Sequence, residues 1–174
     1  MTLDPSVTIR AVEPSDAPAV SALLGLAGVV EGTLQVPDMP VASRLDMLQR
    51  LEPRDCKLVA LAQGEVIGMG GLHTVQASLR RAHVRLLGLA VATPWQGRGV
   101  ARQLMERLLS WADNWAGVQR IELHVHEDNP RAIALYQSLG FVEEGRHRAY
   151  ALKDGCYVDS LSMARLHPNP PRLP

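Results

Sequence analysis

A glycine-bearing hexapeptide, Gln96-Gly97-Arg98-Gly99-Val100-Ala101, limits what this 174-residue chain can become. It follows an apolar run at 86–91 and opens an amphipathic stretch at 100–115. In that stretch Val100, Leu104, Leu108, Trp111 and Trp115 recur at helical spacing, with Met105, Leu109 and Ala112 beside them. They form a wide apolar stripe for one helix face. A strand that feeds a tight turn and then a helix returns to its sheet by a right-handed crossover, parallel to itself. The first helical turn leaves backbone N–H groups without partners at the positive end of the dipole. Gly97 and Gly99 carry no Cβ to keep an oxyanion away from the main chain. Arg98 and Arg102 add charge. The loop therefore reads as a phosphate cradle.

Around it the pattern alternates between strand and helix periods. Residues 7–12 read as a first strand. Ser15 or Asp16 caps a helix running to about Ala27. Residues 31–37, punctuated by Gly32 and Pro37, form a loop. Residues 41–51 form a short helix that Pro53 ends. Residues 56–62 and 66–75 are β-like runs around the turn Gln63-Gly64-Glu65, and 83–91 is the next strand. Gly88 within it marks a bulge or a point of ligand approach. Residues 119–126 are a strand, and 129–139 a helix with Gly140 as its C′ residue. Phe141-Val142 restarts a strand, and 149–152 with 156–165 make a final hairpin around Lys153-Asp154-Gly155. One domain is expected, its core about 7–166, with a proline-rich irregular tail at 167–174. The fold expected is α/β, with a mixed, mostly antiparallel sheet, helices on both faces and one parallel β-α-β crossover at the glycine loop.

Composition removes several functions. Lys plus Arg and Asp plus Glu number 18 each, for a formal net charge of zero. No basic field exists to hold nucleic acid. No apolar stretch reaches the roughly 20 residues of a membrane span. Cys56 and Cys156, far apart and without a signal-like N-terminus, suggest a reducing cytoplasm.

Three ligands compete for the loop. A Walker loop needs Gly-Lys-Ser/Thr, and Gly99 is followed by Val100-Ala101. A dinucleotide loop needs a small residue where Arg102 stands, directly after a strand, and Thr93-Pro94-Trp95 intervenes. The third is coenzyme A. The loop matches Q/R-x-x-G-x-G/A, and Asn129-Pro130-Arg131-Ala132 with Tyr136 and Leu139-Gly140-Phe141 matches N-x-x-A…Y-x-x-x-G-F. In this ordered pair the chain resembles the GNAT superfamily of acyl-CoA-dependent N-acyltransferases over about residues 7–166. Residues 33–37 and 150–165 further resemble its bacterial YhhY-type amino-acid acetyltransferase branch and, more distantly, phosphinothricin-type acetyltransferases.

The resemblance implies acetyl-CoA as acyl donor, held by the backbone of Gln96, Gly97, Arg98, Gly99, Val100 and Ala101. The strand backbone at Leu89, Ala90 and Val91 would pair with the pantetheine amides, and Asn129 and Tyr136 would complete the site. Asn129 also suits an N-cap. Tyr136 is placed as general acid toward the leaving thiolate, although a buried aromatic beside Ile133 and Leu139 would have the same pattern. The glutamate that some members keep before the loop falls at Arg85. The remaining base candidates are Glu31, His73, Glu122 and His124, with Glu122 and His124 favoured on the polar face of their strand. His124-x-His126 lacks a further ligand, so no metal is expected.

Acceptor contacts are assigned to Glu31, Leu34 and Gln35 in the loop and to Tyr157 and Asp159 on the last strand. The implied reaction is acetylation of a small amine, an amino acid or related compound, by direct attack in a ternary complex. The rivals are a protein N-terminal or lysine acetyltransferase and a non-catalytic acyl-CoA-binding regulator. A homodimer is the expectation from family habit.

Overall fold

The computed structural model describes residues 7–49, 54–75 and 79–170. The strands are β1 (Val7–Ala11), β2 (Cys56–Ala62), β3 (Glu65–Thr74), β4 (Val84–Val91), β5 (Arg120–His126), β6 (Val142–Lys153) and β7 (Cys156–Leu166). They form one sheet in the order β1-β2-β3-β4-β5-β7-β6. Every neighbouring pair is antiparallel except β4 with β5. The β2–β3 hairpin turns on Gln63 and Gly64, both at positive φ (52° and 84°), the backbone twist a two-residue hairpin needs. Asp154 and Gly155 repeat it between β6 and β7, with φ of 47° and 77°.

The crossover helix α4 (Val100–Asn114) lays Val100, Leu104, Met105, Leu108, Leu109 and Ala112 on one sheet face, packed with Leu58, Ala60, Leu72, Leu87 and Val91. The opposite face is covered by α1 (Ala17–Leu24) and α3 (Val41–Gln49). There Val20, Leu23, Leu24 and Leu48 meet Val59, Met69 and Ala90. The two short helices left are α2 (Ala27–Val30) and α5 (Pro130–Ser138). The expected mixed sheet with helices on both faces is the fold observed.

Several local expectations change. Trp115 is 83% exposed rather than on the core stripe, because α4 stops at Asn114 and its next residue leaves the helical path. The first helix is divided into a 3₁₀ turn at Pro14–Asp16, α1, and α2; Leu26 breaks it with an extended backbone. Asp16 does not cap α1 through its side chain. Its carboxylate instead accepts two hydrogen bonds from Arg10 (2.7 and 2.8 Å) and one from the Glu13 N–H. The helix read to 51 is observed to Gln49, and its expected stop at Pro53 lies outside the described residues. Gly88 makes no bulge, since β3 and β4 stay in register through Gly71↔Gly88. The separate strand at 141–142 is the start of a single long β6. Its register breaks between His147 and Ala151, where Ala149 takes φ 49° and its N–H donates to Asp159. Both cysteines are free.

Candidate active site

The parallel ladder between β4 and β5 covers only Val84↔Arg120, Arg85↔Ile121 and Leu86↔Glu122. Beyond it β4 stays with β3 and β5 with β7, so the sheet opens into a cleft. One strand edge at Leu87, Gly88, Leu89, Ala90 and Val91 faces that cleft. An unpaired edge can take a ligand's amides as it would another strand. The Val91 carbonyl is already occupied, accepting from the Gln96 side chain at 2.9 Å.

The glycine loop stands at the head of this cleft. Gly97 and Gly99 lie at φ 75° and 86°, a region costly for any residue with a side chain. A Cβ at either would meet nothing within 4 Å, so the space above the loop is open to a ligand. Gly99 is the N-cap of α4 and has no side chain to cap with. The first acceptance inside the helix is Gln103 N–H to Gly99 O, which leaves the N–H groups of Val100, Ala101 and Arg102 free of helical partners. The Arg98 guanidinium lies 5.2 Å from the Trp95 ring centre. Gln96 also accepts from Arg131 of α5, and Arg102 donates to Ser138 at 2.7 Å. The two segments identified in sequence thus meet through side chains.

Asn129 caps α5, its Oδ1 accepting from Ala132 N–H at 3.1 Å. Tyr136 is 8% exposed, its ring against Phe141 at 5.8 Å. Burial pushes its phenol up to about 12. Its hydroxyl has no hydrogen-bond partner among the described residues.

On the face opposite α4, Glu122 and His124 differ in availability. The Glu122 carboxylate accepts from Arg81 (2.7 Å) and Arg120 (2.6 Å), so its oxygens are already engaged by two guanidinium groups. Arg120 is shared with Glu144. His124 is exposed, and burial and then the neighbouring His147 lower its pKa, so it is neutral at pH 7. It stacks on Tyr150 (5.1 Å, 22°) and meets His147 edge-on at 5.3 Å. His147 and Tyr150 were not singled out in the sequence; His147 pairs with Ser160 of β7, and Tyr150 lies in the break of β6 that follows. His73 lies over Gly88, where a Cβ would stand 3.6 Å from its Nε2. Burial lowers its pKa as well. Arg85 is 3% exposed and donates to the carbonyls of Arg54, Ala82 and Val84, so this position braces the strand.

The loop after α2 closes over the end of β5. The Glu31 carbonyl lies 3.2 Å from His126 Nδ1, and a Cβ on Gly28 would stand 2.5 Å from Thr93 Oγ1. Leu34 is 62% exposed, and Gln35 N–H donates to Thr33 Oγ1. Of the two last-strand residues, Asp159 lies at the end of β5, its carbonyl accepting from Glu127 N–H at 3.1 Å. Tyr157 is 70% exposed beside the hairpin turn, and Asp159 is taken up by Arg146 and the Ala149 N–H. Its contribution is to hold the bulge that carries Tyr150.

Residues 31–141 match the acetyltransferase (GNAT) family model. The chain is 40% identical over 162 residues to L-amino acid N-acetyltransferase AaaT of Escherichia coli (strain K12), covering 92% of this chain and 98% of that protein. It is 31% identical over 167 residues to N-alpha-acetyltransferase RimI of Mycobacterium tuberculosis, covering 95% and 96%. A solved GNAT-family acetyltransferase from Streptococcus pneumoniae superposes with a TM-score of 0.82 at 25% identity, covering 92% of this chain and 98% of that chain.

Proposed function

The chain belongs to the GNAT family of acetyltransferases, and from that premise we propose that it acetylates the α-amine of an amino acid. It is an acetyl-CoA-dependent N-acetyltransferase acting on a small-molecule amine. The observation that carries the finer reading is the cleft where β4 leaves β5. It joins an open glycine loop to a neutral imidazole, under a loop pinned at Glu31 to His126. Such a cover suits a small acceptor better than a polypeptide. The relation to the Escherichia coli L-amino acid acetyltransferase supports the same class.

Acetyl-CoA supplies the acetyl group as a thioester. The N–H groups of Val100, Ala101 and Arg102 would hold its pyrophosphate, with Arg98 and the Gln96–Arg131 pair beside them. The strand edge at Leu89, Ala90 and Val91 would hold its pantetheine amides. The amine must shed a proton before attack. His124 is the acceptor for it, with His73 across Gly88 as the alternative. Tyr136 faces the leaving thiolate. A thiol has an ordinary pKa of about 8.5, so full proton transfer from a phenol near 12 is uphill by about 5 kcal/mol. Tyr136 therefore acts as a hydrogen-bond donor to the thiolate, and solvent completes the protonation. Neither thiol serves as a nucleophile: Cys56 is half-buried with its pKa raised by burial, and Cys156 sits at the β6–β7 turn.

A thiol-release assay with amino acids, polyamines, aminoglycosides and N-terminal peptides tests the substrate class. Turnover confined to peptides or polyamines would refute it. We also propose a cytoplasmic homodimer. The exposed Leu152 and Tyr157, paired across β6 and β7 beside their turn, offer apolar surface for pairing. Light scattering at micromolar concentration checks it, and a monomer mass would end that reading.

A further inference from the structure

The buried polar side chains of the described residues are Asp16, Arg44, Lys57, Arg85, His126 and Ser160. Five have partners. Asp16 holds Arg10, Lys57 donates to Met47 O, and Arg85 donates to three carbonyls. His126 meets Glu31 O, and Ser160 donates to Val125 O. Arg44 is 5% exposed, and its guanidinium makes no hydrogen bond or ion pair with any described residue. Its Nε is shut off from solvent with no acceptor. A guanidinium is charged at every working pH and presents five donors. Leaving it buried and unpaired is destabilising, so the group calls for an anion.

Its place says which anion. Arg44 precedes Leu48 by one turn, so both lie on the same face of α3. Leu48 is buried with Met69 and Ala90. Ala90 shares its sheet face with Gly88, and the same face carries Glu122 and His124 on β5. α3 thus packs on the sheet face that also carries Gly88, Glu122 and His124, tied to it at Lys57, which donates to Met47 O, with Arg44 on its buried side. No described carboxylate pairs with Arg44, and Asp55, Glu122 and Asp16 are committed elsewhere: Asp55 to Thr74 and His73, Glu122 to Arg81 and Arg120, Asp16 to Arg10. A bound ligand can supply the missing anion.

We propose that Arg44 receives the α-carboxylate of the acceptor, which makes the substrate a free α-amino acid. The inference rests on the acetyltransferase reading above. A carboxylate matches the guanidinium fork in shape and charge. A polyamine brings only positive charge. The first residue of a peptide has an amide where the carboxylate should be.

The test compares L-amino acids with their carboxamides in the thiol-release assay, for wild type and Arg44→Met. Methionine keeps the stem's bulk and removes an unpaired charge, so its Tm should equal or exceed that of wild type. Wild type should favour the acid over its amide. In Arg44→Met, KM for the acid should rise on the order of 10- to 100-fold while KM for the amide moves far less. Arg44→Lys should recover part of the loss. An acid-to-amide preference retained in Arg44→Met, equal losses on both substrates, or a sharp fall in its Tm would each overturn the proposal. Acetylation of amino acids with no acid-to-amide preference in wild type would overturn it and leave the acetyltransferase reading standing. Failure of every amino acid beside active peptides or polyamines would strike the substrate class itself.

Discussion

Single residues divide by whether their chemistry is available or already engaged. Gly99 is engaged by its backbone: at φ 86° an added side chain costs about 1–2 kcal/mol. Gly99→Ala should lower Tm by roughly 2–8 °C for a domain of this size and weaken acetyl-CoA binding in a titration. Tyr136 has a free hydroxyl on a buried ring. Tyr136→Phe should keep the fold and lower turnover by about 10- to 100-fold, the worth of one hydrogen bond to a charged group; near wild-type turnover would remove the assignment. His124, with its pKa depressed, stays a neutral base to below pH 6.5. His124→Ala should lose on the order of 100-fold or more in turnover and shift the acid limb of the pH profile; an unaltered profile would rule it out.

Elements explain why the loop is held so firmly. α5 is nine residues long, too short to be stable alone. It depends on its Asn129 cap and on the Gln96–Arg131 and Arg102–Ser138 contacts with the opposite segment. Asn129→Ala should cost about 1 kcal/mol, read as a lowered denaturation midpoint, and loosen acetyl-CoA binding through α5. Element boundaries were where sequence patterning was least informative. Asp16 reads as a cap but serves Arg10 and Glu13. β6 reads as two pieces because its bulge interrupts the alternation. The two-residue turns were legible because Gln-Gly and Asp-Gly satisfy positive φ locally.

At the scale of the molecule, buried titratable groups set the response to acid. His73 and His124 have pKa values lowered in the fold, so the unfolded chain binds more protons below about pH 6.5. Their effect is absent at high pH and destabilising as pH falls through that value. Asp16, held low chiefly by Arg10, adds stability that is present above the usual aspartate pKa and lost as pH drops through its own lower one. Both effects have the same sign. Tm should decline on acidification from pH 7 to 5, and His73→Gln with His124→Gln should flatten that decline. A slope unchanged in the double variant would place the sensitivity elsewhere.

The crossover, the glycine loop and the paired cofactor segments were all readable from the chain. Each rests on short-range rules: helical period, glycine's freedom of φ, and a cap at a fixed offset. The acceptor side was not. His124 meets Tyr150 and His147 from across β7, where the register of β6 breaks. Glu122 is held by arginines 41 and 2 residues away in sequence. Arg44 sits on an otherwise apolar helix face, yet a lone arginine there looks like any other surface charge until burial is known. Whether a charge is paired, and with what, is settled by long-range packing, and no local pattern in the sequence encodes it.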